Sequence, residues 1–152
     1  MHVSDIMTEA SITDTPSDTL RAAAERMWAQ QTGSLLVMDN GRLVGIITER
    51  DLLRAVARGI DLDTTRIRDV MTTDLVTAWP DSPLRDAARE MAHRWIRHLP
   101  VVEGDRIVGV VSMRDVTGVF AALSKDPEEI QLDLDELVRE RRLVRIEQGD
   151  LD

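Results

Sequence analysis

The sequence predicts an α+β fold, with two β-α-β-β-α units in tandem and a helical extension after them. Two observations support it. The first is an internal repeat. Val44-Gly45-Ile46-Ile47-Thr48-Glu49-Arg50-Asp51 returns 64 positions later as Val108-Gly109-Val110-Val111-Ser112-Met113-Arg114-Asp115. The second is the reading of each copy. A short apolar run has the character of a buried strand, and a Thr or Ser then stands where a helix N-cap belongs. An amphipathic run follows, with a carboxylate in its first turn.

The same offset aligns the chain with itself, without a gap, from Asp5 to Asp115. Asp5 and Met7 meet Asp69 and Met71; Thr13 and Pro16 meet Thr77 and Pro80. Leu20, Ala23, Ala24 and Met27 meet Leu84, Ala87, Ala88 and Met91, and both sets recur at helical spacing. The units are read as 1–60 and 61–123, with an acidic extension over 124–152. Each unit alone is small for a domain, so a shared core is expected.

Within a unit, Ser4 to Met7 reads as a lead-in turn and Ser11 to Thr13 as a short strand. Asp18 is the expected N-cap of the first helix; its counterpart Ser82 precedes Pro83, which suits the first helical position. Ser34 to Met38 and His98 to Val102 read as strands. Arg42 to Ile47 and Arg106 to Val111 pair back on them as hairpins. Asp39-Asn40-Gly41 signals a tight turn between the two strands of the first hairpin, and Glu103-Gly104-Asp105 replaces it in the second unit. Closing helices are expected over 49–58 and 113–123. Gly59 to Asp63 is a short polar link. From Asp126-Pro127 a further helix runs to Arg142, with Ile130, Leu134, Leu137 and Val138 on one face. Acidic residues stand at its start and basic residues at its end, as the macrodipole favours.

Composition narrows the function. The chain has 152 residues, a formal net charge of −9 and no cysteine. The length suits about one domain. The missing thiols exclude disulfide and thiolate chemistry. The negative balance argues against a nucleic acid partner, which favours a basic footprint, but not against a small anion held by local groups. Met1-His2-Val3-Ser4-Asp5 lacks a basic n-region and an apolar h-region. No apolar run approaches the roughly 18 residues of a membrane span. A cytoplasmic protein is expected. His2, His93 and His98 are scattered, no pair has metal spacing, and neither phosphate-loop glycine motif is present. The chain is therefore read as not an enzyme.

The ordered motifs resemble a pair of cystathionine-β-synthase-type (CBS) domains, the Bateman module. The residues that carry the resemblance are Asp5-Ile6-Met7-Thr8 and Asp69-Val70-Met71-Thr72, then Leu35-Leu36-Val37-Met38 and Leu99-Pro100-Val101-Val102, then the Gly-x-x-Thr/Ser-x-x-Asp runs at 45–51 and 109–115. They span about Val3 to Ala122, with no catalytic domain attached, so the chain looks like a free-standing pair. The resemblance implies pseudo-twofold packing with two clefts between the units. It implies an adenosine-containing ligand (AMP, ADP or ATP, with Mg²⁺ as an optional companion, or S-adenosylmethionine), a homodimer, and a regulated protein partner.

Thr48 with Asp51 and Ser112 with Asp115 have two readings. Spacing alone favours a capping box, in which hydroxyl and carboxylate exchange hydrogen bonds with each other's backbone. The resemblance instead implies that each Asp accepts from the ribose hydroxyls, while the Thr or Ser meets ribose or phosphate at the helix N-terminus. The resemblance also implies that Arg97 and His98, just ahead of Leu99-Pro100, form an anion clamp with Arg114; the other reading of these residues is a solvated loop. The first unit has Gly33-Ser34 there and Leu36 in place of Pro100, although Arg50 matches Arg114. The cleft built on Asp115 is thus expected to be the better phosphate binder, and the one built on Asp51 the weaker. Thr13 and Thr77 border adenine or phosphate in this reading. Trp79, just before Pro80, is read first as packing at a strand end, with stacking on a purine as the alternative; Trp28 and Trp95 are expected on helices, as core or dimer contacts. The alternative function is a ligand-free scaffold acting through the C-terminal helix.

Overall fold

The computed structural model describes residues 1–9 and 13–123. Met1–Val116 form one compact unit. Of the second, Thr117–Asp152, the described part is the end of a helix. The helix expected over 126–142 lies outside the described residues, as do Ser11 and Ile12 of the first expected strand.

A 3₁₀ turn over Val3–Asp5 leads into strands β1 (Thr8–Glu9) and β2 (Thr13–Asp14), helix α1 (Leu20–Gln30), strands β3 (Ser34–Asp39) and β4 (Arg42–Thr48), and helix α2 (Glu49–Ala57). The second repeat starts with a 3₁₀ turn over Ile67–Asp69. Helix α3 (Leu84–His93), strands β5 (His98–Glu103) and β6 (Arg106–Ser112) and helix α4 (Met113–Leu123) follow. The expected α+β pattern is present. In the second repeat its opening strand is reduced to a parallel bridge between Ala78 and Val101.

Two three-stranded sheets result, in the orders β2-β3-β4 and β1-β6-β5. The hairpin turns follow their sequence signals. Asn40 and Gly41 have φ of 50° and 78°, the double positive φ of a type I′ turn, which twists with the strands it joins. Both hairpins shift register at the same place, between Val37 and Met38 and between Val101 and Val102.

The lead-in segments are exchanged between the repeats. Thr8 pairs with Val110 of β6, and its counterpart Thr72 bridges Ile46 of β4. The N–H of Val3 donates to Ser82 at 2.9 Å, and that of Ile67 to Asp18 at 2.9 Å. Leu84 N–H reaches Met1 O, and Leu20 N–H reaches Thr65 O. Every one of these contacts has its partner 64 positions away, so the two repeats are related by a pseudo-twofold exchange. A glycine permits each crossing. A Cβ on Gly109 would stand 2.7 Å from Thr8 O and 2.9 Å from Met7 Sδ; one on Gly45 would stand 2.5 Å from Met71 Sδ and 3.1 Å from Thr72 O. The Asp-x-Met-Thr and Val-Gly motifs, far apart in sequence, are thus two halves of one contact.

The core of the first sheet gathers Leu20, Ala23 and Met27 of α1, Leu35, Val37 and Ile47 of the strands, Ala55 of α2, and Ile67 from the exchanged segment. Ile60 and Leu62 of the polar link pack against it. Asp14 is buried with the core and pairs with the Arg26 guanidinium, which also donates to Thr13 O at 3.1 Å.

Four local expectations change. Thr19, not Asp18, caps α1, accepting from the Ala22 N–H at 3.1 Å. Asp18 and its counterpart Ser82 instead accept from the N–H three residues back, Thr15 at 3.2 Å and Trp79 at 3.0 Å, and so close the turn ahead of the helix. Pro83 stands at the cap position itself, without a side-chain bond. Trp28 is on α1 as expected but 86% exposed, because it falls at the edge of the apolar stripe, and so does not belong to the core. Trp95 lies beyond the end of α3, with φ of 59°, in the left-handed position that Gln31 holds after α1.

Candidate functional site

Both repeats turn from strand to helix in the same way. Thr48 N–H and hydroxyl donate to Asp51 Oδ2 at 2.9 and 3.1 Å, and Asp51 N–H returns to Thr48 Oγ1 at 3.4 Å. Ser112 N–H and hydroxyl likewise donate to Asp115 Oδ2, and Asp115 N–H returns to Ser112 Oγ at 3.2 Å. The capping box that spacing favours is formed at both sites. It uses one carboxylate oxygen and leaves Oδ1 for other work.

The second oxygens have different partners. Asp51 is 6% exposed, and its Oδ1 accepts from Arg54 at 3.4 Å. The position equivalent to Arg54 is Gly118, which has no side chain to offer. Among the described residues, Asp115 Oδ1 has no hydrogen bond. Asp115 also borders open space, a cavity of about 770 Å³. That volume lies within the range of about 300–1,000 Å³ common for small-molecule sites.

Residues of both repeats line this cavity. From the second come Arg97, His98, Val110, Ser112, Met113, Arg114 and Asp115. From the first come Ala24, Met27 and Trp28 of α1, the segment from Gln31 to Ser34, and Glu49 and Leu52 of α2. Thr8 and Glu9 of β1 are on its wall because the exchange lays β1 beside β6. Within each repeat the backbone fixes the turn into the helix. Met113 N–H donates to Arg97 O at 2.8 Å, and Glu49 N–H to Gly33 O at 2.9 Å, so each helix start is tied to the loop that precedes the neighbouring strand.

Of the residues singled out in the sequence, the structure brings Arg97, His98, Ser112, Arg114 and Asp115 into this one cavity. Pro100 is fully buried in β5, its carbonyl accepting from the Ala78 N–H at 2.9 Å, and is not on the wall. Thr13 lines a separate hollow of about 390 Å³ with Met38, Gly41, Asp105, Arg106 and Ile107. Thr77, Thr48, Arg50 and Asp51 line neither. Sequence reasoning did not find Glu49, Trp28, Thr8 or Glu9. The signal at Trp28 was Ala24, one helical turn earlier on the apolar stripe and also on the wall; the other three required the exchange and the meeting of the repeats.

The electrostatics are mixed. Arg97 donates to Glu49 Oε1 at 3.0 Å, a bridge between the repeats that is half exposed on both sides. His98 is held below its ordinary pKa of 6.5, first by burial and then by Arg97, with Glu49 and Asp115 opposing. It is therefore neutral at pH 7. Among the described residues no group of three metal-ligating side chains is found, and no helix is long and apolar enough to cross a membrane.

The CBS domain family model matches residues 3–58 and 67–122. The CBS domain-containing protein YhcV of Bacillus subtilis is 38% identical over 115 residues, covering 75% of this chain and 81% of its own. A homoserine O-acetyltransferase of Methanococcoides burtonii is 37% identical over 116 residues, which are 75% of this chain but 23% of that enzyme. Among solved structures, the CBS domain pair of protein MJ0100, in complex with 5′-methylthioadenosine and S-adenosyl-L-methionine, superposes with a TM-score of 0.76 at 30% identity, covering 82% of this chain and 98% of its own. A protein with CBS domains from Burkholderia ambifaria gives 0.76 at 27% identity, covering 84% and 99%.

Proposed function

Because the chain belongs to the CBS domain family and carries two such domains in tandem, we propose that it is a regulatory module whose ligand is an adenosine-containing small molecule, the adenine nucleotides AMP, ADP and ATP included. The ligand sits in the cavity at the start of α4. Asp115 Oδ1 accepts from the ribose hydroxyls while Oδ2 stays in the capping box. Ser112, at the start of α4, faces the group at the 5′ carbon, where the positive end of the helix favours an anion, and Arg114 supplies a positive charge. The observation that carries this reading is the difference between the two caps: Asp115 has a carboxylate oxygen to give and a cavity beside it, whereas Asp51 is closed off by Arg54. The Asp51 side, with Thr48 and Arg50, is the weaker site. A ligand bridging the repeats favours one arrangement of them over another, by no more than its difference in affinity for the two. A protein partner, or a second copy of the chain in a homodimer, reads that shift.

Support also comes from the MJ0100 pair, which holds two adenosine-containing ligands in a like fold. The test is thermal unfolding with AMP, ADP, ATP, S-adenosylmethionine and 5′-methylthioadenosine, each with and without Mg²⁺. A ligand at 100 times its Kd adds about 2.7 kcal/mol. Asp115→Ala removes that shift. Asp51→Ala breaks the equivalent cap, at about 0.5–2 kcal/mol, yet keeps the shift. Loss of the shift in both variants, or in neither, would overturn the assignment.

A further inference from the structure

Arg97 was expected to hold phosphate, but in the folded chain it is taken. Its guanidinium donates to Glu49 Oε1 at 3.0 Å, across the boundary between the repeats. The Glu49 carboxylate lies where the anion clamp was expected: a Cβ on Gly33 would meet Glu49 Oε1 at 3.3 Å and His98 Cε1 at 3.4 Å, so the three groups converge on one edge of the cavity. Glu49 is the first residue of α2, and its backbone is pinned to Gly33 O at 2.9 Å, so the side chain stays near this edge. His98 brings no compensating charge at neutral pH. Around the whole cavity three carboxylates, those of Glu9, Glu49 and Asp115, stand against two guanidinium groups, those of Arg97 and Arg114. Such a wall suits the charge of a single phosphate near Arg114 and disfavours that of three.

We propose that Glu49 is a specificity-determining residue of this cavity: by occupying Arg97 it selects an adenosine-containing ligand that carries at most one phosphate, or a neutral or cationic group, at its 5′ end. This rests on the reading above that the cavity takes an adenosine-containing ligand. The equivalent position in the second repeat is Met113, so the carboxylate is a feature of this one edge and not of the repeat.

The experiment titrates the full chain with adenosine, AMP and ATP, without Mg²⁺, as wild type, Glu49→Gln and the double variant Glu49→Gln/Arg97→Gln. Wild type is expected to bind AMP about tenfold or more tighter than ATP. Glu49→Gln is expected to tighten ATP about tenfold, with adenosine unchanged, and the added Arg97→Gln to take that gain away. Thermal unfolding of the unliganded variants checks the fold; if the Gln variant is unstable, Glu49→Met, the residue of the second repeat, replaces it. Equal affinity of wild type for AMP and ATP would overturn the proposal, as would an AMP-to-ATP ratio that Glu49→Gln leaves unchanged. If wild type binds AMP and Asp115→Ala does not, while Glu49→Gln has no effect, the role of Glu49 falls and the ligand reading stands. If none of the three ligands, nor S-adenosylmethionine or 5′-methylthioadenosine, binds any variant, both fall.

Discussion

Protonating His98 is harder in the folded chain than in the unfolded one, because the ring is largely withdrawn from water and Arg97 stands beside it. The sign of the consequence is fixed. Above the ordinary value of 6.5 both states are neutral and His98 contributes no pH dependence. As pH falls below it the unfolded chain takes up the proton first, so stability drops until the folded ring also titrates. Urea unfolding at pH 7.5 and pH 5.5 should therefore show a smaller loss for His98→Gln than for wild type; an equal loss would mean the ring is not shielded as described. The same residue shows what the sequence disclosed. Arg97, His98, Ser112, Arg114 and Asp115 were legible as a set, because each stands at a repeat-defined junction of strand and helix. Glu49 was not, because its meaning comes from Arg97, a residue 48 positions away that only packing places beside it.

At the scale of elements, the repeat predicted strands and helices in order because their apolar periods differ and their caps are local. It was silent on which repeat each lead-in segment joins. A strand of two residues has no pattern of its own, and an exchanged and an unexchanged pairing present the same motifs at the same offset. Gly109 and Gly45 record the answer in space. Gly109→Ala drives a Cβ to 2.7 Å from the backbone oxygen of Thr8, which has nowhere to go, and is expected to cost about 1–3 kcal/mol in urea unfolding. Gly45→Ala meets first the sulfur of Met71, the far end of a flexible side chain, so its cost should be smaller and partly relieved by Met71→Ala. A larger cost at Gly45 than at Gly109 would contradict this account of the crossing.

At the scale of the whole molecule, the exchange couples the two repeats more tightly than a face-to-face contact would. Ile67 belongs to the second repeat by sequence and is fully buried in the core of the first. Ile67→Ala is expected to lower stability by about 2–5 kcal/mol. Hydrogen exchange should show protection lost together in β3–β4 and β5–β6, as one cooperative unit. Loss confined to β3–β4 would mean that the repeats unfold separately. The cavity's two walls come from different repeats, and the exchanged lead-in segments join those repeats to each other.

The exchange also has a direction in time. As the chain leaves the ribosome, the segment that finishes the first sheet follows directly behind it, so that sheet closes once Thr72 has emerged. Thr8 and Glu9 emerge ahead of the first hairpin but find their place on β6 only after Val110 is made. The repeat translated second thus receives as its final strand a piece of chain translated ahead of the first.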